Sequence, residues 1–312
     1  MSPVAAVHTV RGPIAPEALG PTLMHEHTFI DLWEWGGRRD YNSIVDDEQL
    51  LAEELAIYRD AGGSGLVDLT TAGVGRHPAG LARLAKATGL HIVMGAGWYR
   101  ERVYPPYVFE LTTNQLAERI VREFAEGADG TGVRPGIIGE IGTERFRVSA
   151  AEERVFRAAA RAQREVGASI STHTTHFGDL ALDQVALLTD EGVRPDRIVI
   201  GHLGERRGID DVLAVARTGV YVQIDHVGRA PQSGCQPEAQ RARNVAALVR
   251  AGYLERVLVS MDLGSNSLLH WNGGHGYDHL LRTFVPLLRE EGSSEAEVRT
   301  ILVENPRRVL SW

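Results

Sequence analysis

The first side chains able to do chemistry are His25 and His27, in the run Leu23-Met24-His25-Glu26-His27-Thr28. In an extended segment over 22–28 successive side chains alternate, so both imidazoles face one side and can share a metal ion. Glu26 then faces the barrel wall and carries no catalytic role. A lone His-x-His is a weak signal. It gains weight because four more metal-ligand types close apolar runs further along. Glu140 follows Gly136-Ile-Ile-Gly, and His173 follows Ala168-Ser-Ile-Ser-Thr. His202 follows Arg197-Ile-Val-Ile-Gly, and Asp262 follows Val257-Leu-Val-Ser-Met. Singly, each histidine also reads as a hydrogen-bonded core residue and each acid as a cap. Together they describe a site of imidazoles and carboxylates, a donor set that suits zinc, manganese or cobalt and that activates water for hydrolysis.

The segments that must position these residues alternate regularly. Strands are predicted over 22–28, 65–71, 91–96, 136–141, 168–173, 197–202, 220–225 and 257–262. Helices are predicted between and after them over 46–59, 76–88, 114–126, 150–165, 179–189, 209–216 and 237–251, with closing helices over 279–290 and 294–303. Eight apolar runs, each followed by a helical segment, predict an α/β fold of the (β/α)8 TIM-barrel type. A short N-terminal β hairpin over 7–14 is predicted at the barrel bottom. No repeat or linker interrupts the pattern, so residues 1–312 read as a single domain. In such barrels chemistry gathers at the C-terminal ends of the strands, where all six candidate ligands fall.

The net charge of −8 argues against nucleic acid or an anionic membrane as the main partner. No apolar run reaches membrane-spanning length, and the N-terminus lacks a basic region followed by a long apolar core. A lone cysteine, Cys235, excludes an internal disulfide and suits a reducing compartment. The expectation is a soluble, cytoplasmic protein.

Several local sequences resemble the phosphotriesterase family of the amidohydrolase superfamily, and the resemblance runs nearly end to end. They are Thr9-Val-Arg-Gly-Pro-Ile14, His25-Glu-His27, Ser171-Thr-His-Thr174, Ile200-Gly-His202, Val259-Ser-Met-Asp262 and Asn305-Pro306. Gly136-Ile-Ile-Gly-Glu-Ile-Gly-Thr143 and Asn272-Gly-Gly-His-Gly-Tyr-Asp278 are most similar to the branch of phosphotriesterase homology proteins. The resemblance implies two divalent metals, zinc by preference with manganese or cobalt as substitutes. One would be held by His25, His27 and Asp262 and the other by His173 and His202. Glu140 would bridge them where other family members carry a carboxylated lysine; the alternative is a single or displaced metal.

The activity so implied is a binuclear metal-dependent hydrolase, with a metal-bridged hydroxide attacking a lactone or ester carbonyl and organophosphate triesters as a side activity. Asp262 would take a proton and pass it through His226 to Glu205. Equally, His226 merely orients Asp262 and Glu205 is a surface acid. Trp98, Tyr99 and Arg229 are assigned to the substrate pocket, with Arg206 and Arg207 at its mouth, although the two aromatics also read as ordinary wall residues and the three arginines as solvated surface residues. The lactonase pattern has an arginine where this chain has His226. His275 and His279, four apart, read as pocket or surface residues. The implied partner is a small-molecule ester or lactone, and relatives of this kind are often homodimers. The competing readings are a phosphoesterase for a phosphorylated metabolite, favoured by the mouth arginines, and a metal-stabilised binding protein without turnover, which has no need of Asp262.

Overall fold

The computed structural model describes residues 5–33, 41–175, 180–206, 208–229 and 236–312. Cys235, Arg207 and the predicted helix start at Asp179 lie outside the described residues. Eight strands form one parallel sheet in strict sequence order: β1 (Thr22–Glu26), β2 (Gly65–Asp68), β3 (His91–Ala96), β4 (Ile137–Gly142), β5 (Ile170–His173), β6 (Ile198–Ile200), β7 (Tyr221–Ile224) and β8 (Val257–Val259). The sheet closes on itself. The Asp262 N–H donates to the His25 carbonyl at 2.9 Å, and the His27 N–H donates to the Leu263 carbonyl at 3.0 Å. The expected (β/α)8 barrel is therefore present, and its seam runs through three candidate ligands.

Helices α1 (Glu48–Asp60), α2 (Pro78–Thr88), α3 (Thr113–Glu126), α4 (Ala150–Val166), α5 (Ala181–Asp190), α6 (Ile209–Ala216), α7 (Glu238–Arg250) and α8 (Val285–Glu290) follow the strands in turn. Their starts are chemically defined. Thr112 with Gln115, and Ser149 with Glu152, form reciprocal capping boxes at α3 and α4. Each helix buries one stripe against the outside of the sheet, as with Leu51 and Leu55 on α1 and Val155 and Phe156 on α4. The predicted helix over 279–290 begins with a π-helical turn, Leu280–Phe284, before α8.

The N-terminal hairpin pairs Val7–Thr9 with Gly12–Ile14. Val7 joins Val309 and Leu310 beneath the barrel, in one apolar cluster with Met24, Val67, Val93, Ile137, Val199, Tyr221 and Leu258 from the strands. This plug fills the lower lumen with side chains, so the open, polar end is the C-terminal one. No helix among the described residues is long and apolar enough to cross a membrane.

Strands β6 and β8 stop earlier than the apolar runs suggest. Beyond them His202 and Asp262 take positive φ values of 59° and 52°, and His226 after β7 takes 62°. These left-handed conformations cost a residue with a Cβ about 1–3 kcal/mol each. They turn three candidate site side chains away from the strand direction and over the barrel mouth.

Candidate metal centre

At the end of β1 both imidazoles point into the barrel mouth. His27 pairs through Nδ1 with Thr70 Oγ1 at 3.0 Å, which leaves Nε2 3.1 Å from Asp262 Oδ1. His25 is fully buried, and neither ring nitrogen has a hydrogen-bond partner. Its Nε2 lies 3.3 Å from Glu140 Oε1 and 3.7 Å from Asp262 Oδ1. Glu26 faces the other way. It accepts from Ser260 Oγ and from the N–H groups of Met261 and Leu263 at 2.7, 2.9 and 2.8 Å, clamping the end of β8 to β1. Burial pushes its carboxyl up to about 8 in spite of these donors.

Glu140, near the end of β4, is the hub. Its Oε1 lies 2.8 Å from both His173 Nδ1 and His202 Nε2, and its Oε2 is 3.8 Å from His27 Nε2. One carboxylate thus faces four imidazoles. Asp262 completes the ring: its Oδ2 accepts from His226 Nε2 at 2.9 Å and from Arg229 Nη2 at 2.5 Å. Burial alone would raise both carboxyl groups. Their neighbours outweigh it, the His173 and His25 rings for Glu140 and the Arg229 guanidinium with the His226 ring for Asp262, and both fall well below the usual range. For His27 burial works downward, but Asp262 and Glu140 carry its imidazole up to about 9. His202 is also raised, through Asp225, whereas burial holds His173 down.

These residues fit divalent metal. Donor atoms of His25, His27 and Asp262, and separately of His25, Glu140 and His202, each lie within 4.8 Å of one another. The two orphaned nitrogens of buried His25 would cost free energy without a proton or cation to meet them. His173 Nδ1 and His202 Nε2 approach to 2.7 Å, a contact between ring nitrogens that also calls for a shared proton or a cation.

Behind the ligands stands a second layer, part of which sequence reasoning missed. Asp225 is fully buried after β7 and accepts from the His202 N–H and from Nδ1, both at 3.0 Å, which aims Nε2 at Glu140. The signal was present, since Asp225 closes an apolar run just as Asp262 does. His226 Nδ1 meets Glu205 Oε1 at 3.3 Å, so Asp262, His226 and Glu205 do form a chain. Glu205 is buried, accepts from the Gln236 N–H at 2.7 Å, and is paired with Arg241 of α7, itself fully buried. Burial would raise Glu205, but His226 and Arg241 take it down to about 2. Nothing in the sequence marked Arg241.

A cavity of about 1110 Å³ opens above the ligands, with Tyr99, His173, Arg229 and Asp262 in its wall. The Tyr99 hydroxyl lies 3.2 Å from His173 Nδ1, and burial keeps it a phenol rather than a phenolate. Trp98 is placed elsewhere: it is 2 % exposed, and its Nε1 donates to the Tyr107 hydroxyl at 2.9 Å behind the wall. Arg206 is buried rather than at the mouth. The His275 and His279 rings lie tilted with their centres 4.6 Å apart, and His279 pairs with Glu238, apart from the candidate ligands.

A sequence model of the phosphotriesterase family matches residues 5–310. The chain is 37% identical to the phosphotriesterase homology protein of Escherichia coli K12 over 92% of this chain and 96% of that one. The crystal structure of the Escherichia coli phosphotriesterase homology protein, complexed with phosphate in its active site, superposes with a TM-score of 0.89 at 35% identity over 94% of this chain and 99% of that chain. An N-acetyltaurine hydrolase of Danio rerio is 32% identical over 98% of both chains. A lactonase from Listeria monocytogenes superposes with a TM-score of 0.91 at 28% identity over 98% of both.

Proposed function

Because the chain belongs to the phosphotriesterase family, a family of hydrolases, we propose that it hydrolyses a lactone or carboxyl ester with two divalent metal ions at the barrel mouth. One observation carries the reading. A single carboxylate, Glu140, lies within 3.8 Å of ring nitrogens from His25, His27, His173 and His202, with Asp262 beside them. His25, His27 and Asp262 would hold one ion, His173 and His202 the other, and Glu140 would contact both. Zinc suits these donors best, with manganese or cobalt as substitutes. When bound, such ions supply an activated water at neutral pH and polarise a carbonyl oxygen.

The chain's own residues do the rest. Asp262 is ionised and accepts the proton released as the water oxygen bonds to the acyl carbon. His226, 2.9 Å away, returns a proton toward the departing oxygen. Glu205, held by Arg241 and the Gln236 N–H, keeps the His226 ring oriented. The Tyr99 phenol donates toward the acyl group from the wall. A second reading, cleavage of an N-acyl amide, is supported by the N-acetyltaurine hydrolase relatives. It uses the same water and the same proton return, now to a leaving nitrogen.

Metal-loaded protein assayed against lactones, carboxyl esters, N-acyl amides and phosphodiesters tests the proposal. Turnover of a lactone or ester, abolished by chelation and by Asp262→Asn, is the expected result. Full activity in Asp262→Asn, or in chelated protein, would refute it.

A further inference from the structure

Between the plug and the candidate ligands lies a level of the barrel lumen that is not apolar. Val93, Ile137, Val199 and Tyr221 turn into the lumen as part of the plug. One strand period further, the lumen-facing positions are Gly95, Gly139, Gly201 and Gln223. On β5 the same step leads from Ser169, whose hydroxyl donates to the Val309 carbonyl at 2.6 Å, to Ser171. As glycines, the positions from β3, β4 and the end of β6 send no side chain inward here. A Cβ at Gly95 would stand 1.9 Å from the Gly139 carbonyl oxygen, and one at Gly201 would stand 2.4 Å from the Thr172 carbonyl oxygen. The wall at this level is bare backbone, and Gln223 is the long polar side chain that reaches into it.

Gln223 is fully buried, and neither its Oε1 nor its Nε2 has a hydrogen-bond partner among the described residues. Ser171 is buried too, and its Oγ is likewise unpartnered among them. A primary amide with both ends unpaired is costly to bury, and the usual remedy is an internal water making about three hydrogen bonds. A third unpartnered group comes down from above. His25 turns Nε2 toward Glu140 Oε1 and Asp262 Oδ1, at 3.3 and 3.7 Å, so its Nδ1 faces away from the other candidate ligands. The carboxylate on that side is Asp225, one strand period above Gln223. Its Oδ2 lies 3.7 Å from His25 Nδ1, too far for a direct hydrogen bond, and already accepts the His202 N–H. A polar gap of this length is one that a bridging water closes.

We propose that Gln223 and Ser171 form an internal water site in the lumen, directly beneath the candidate metal centre. The water next to His25 accepts its Nδ1–H and donates to Asp225 Oδ2 and to Gln223 Oε1. The Ser171 hydroxyl and the Gln223 amide N–H groups anchor the same solvent from below. The site keeps the His25 proton on Nδ1 and so leaves the Nε2 lone pair for a metal ion. Gln223 is thereby a positioning residue for a ligand it does not touch. The inference rests on the metal reading for its effect on zinc, and not for the water itself.

Crystallography and one substitution test it, without any assay of turnover. High-resolution crystals of the wild type, with and without zinc, should both show density for a water within hydrogen-bond reach of Gln223 Oε1 and His25 Nδ1. Gln223→Met keeps the length of the side chain and removes both polar ends, and thermal unfolding reports whether it folds. Competition against a chromogenic chelator should give a zinc affinity roughly tenfold weaker in this variant. In cobalt-loaded protein the exchangeable ring proton of His25 gives a shifted NMR signal, which should move and exchange faster in Gln223→Met. A glutamine that merely fills space would leave that signal in place. Wild-type density without the water, or a folded Gln223→Met in which either the affinity or the signal is unchanged, would overturn the site. Should Gln223→Met not fold, Ser171→Ala removes a single anchor and is held to the same two readouts. Wild type that shows the water but binds no zinc would uphold the site while counting against the metal reading.

Discussion

Replacing Asp225 by asparagine isolates the part of the centre that holds a ligand without binding metal itself. The carboxylate accepts the His202 N–H through Oδ2 and the Nδ1–H through Oδ1, each at 3.0 Å. Asparagine is nearly isosteric but has one oxygen. In either amide orientation it satisfies one of the two donors and turns an NH2 group toward the other. The loss of one hydrogen bond to a charged acceptor is worth about 1.5–3 kcal/mol. At about 1.4 kcal/mol per decade this predicts metal affinity weaker by about 10- to 100-fold, in line with other residues that orient metal-ligating histidines. Asp225 Oδ2 also lies 3.7 Å from His25 Nδ1, so the substitution should disturb His25 as well as His202. Competition against a chromogenic zinc chelator, run on wild type and Asp225→Asn, measures it. Unchanged zinc affinity in a folded variant would refute the claim that Asp225 aims His202.

Three further outcomes follow from the same geometry. Arg241→Met leaves Glu205 buried beside His226 without its cation, so denaturant unfolding should show a loss of about 3–5 kcal/mol. Adding Glu205→Gln should recover a large part of it, and strictly additive losses would mean the pair is not coupled. His27 is raised to about 9, so below that pH its ring holds a proton that a metal ion must displace. Apparent metal affinity should therefore climb with pH up to about 9, and calorimetry at neutral pH in buffers of different ionisation enthalpy should detect proton release; none would contradict the assignment. Tyr99→Phe removes one donor from the cavity wall and should lower kcat/KM for lactones by about tenfold, the worth of one hydrogen bond, while sparing phosphoesters. Equal effects on both would remove Tyr99 from substrate discrimination.

What could be read beforehand was set by local pattern. His25, His27, Glu140, His173, His202 and Asp262 each close an apolar run, and strand alternation with the barrel rule sends such residues to one mouth. Strand ends were less legible. His202 and Asp262 lie past the last paired residue in left-handed backbone, which a run of apolar letters cannot announce. Trp98 was grouped with Tyr99 because they are adjacent, yet neighbouring residues on an extended segment face opposite ways, and only Tyr99 reaches the cavity. Asp225 carried the same sign as Asp262 and could have been found by applying one rule evenly. Arg241 could not, because its partner Glu205 is set by how α7 packs over the loop after β6, a long-range fact with no local trace.

The seam between β1 and β8 has a consequence for biosynthesis. The Ser260 hydroxyl that accepts the His25 N–H stands 235 residues along the chain from its partner. His25 and Asp262 therefore meet only after nearly the whole polypeptide has left the ribosome and the ring of strands has closed. A nascent or prematurely terminated chain holds the early histidines but not the late aspartate, so it offers an incomplete cradle. Metal loading would then act as a seal on finished molecules, joining the first strand made to the last.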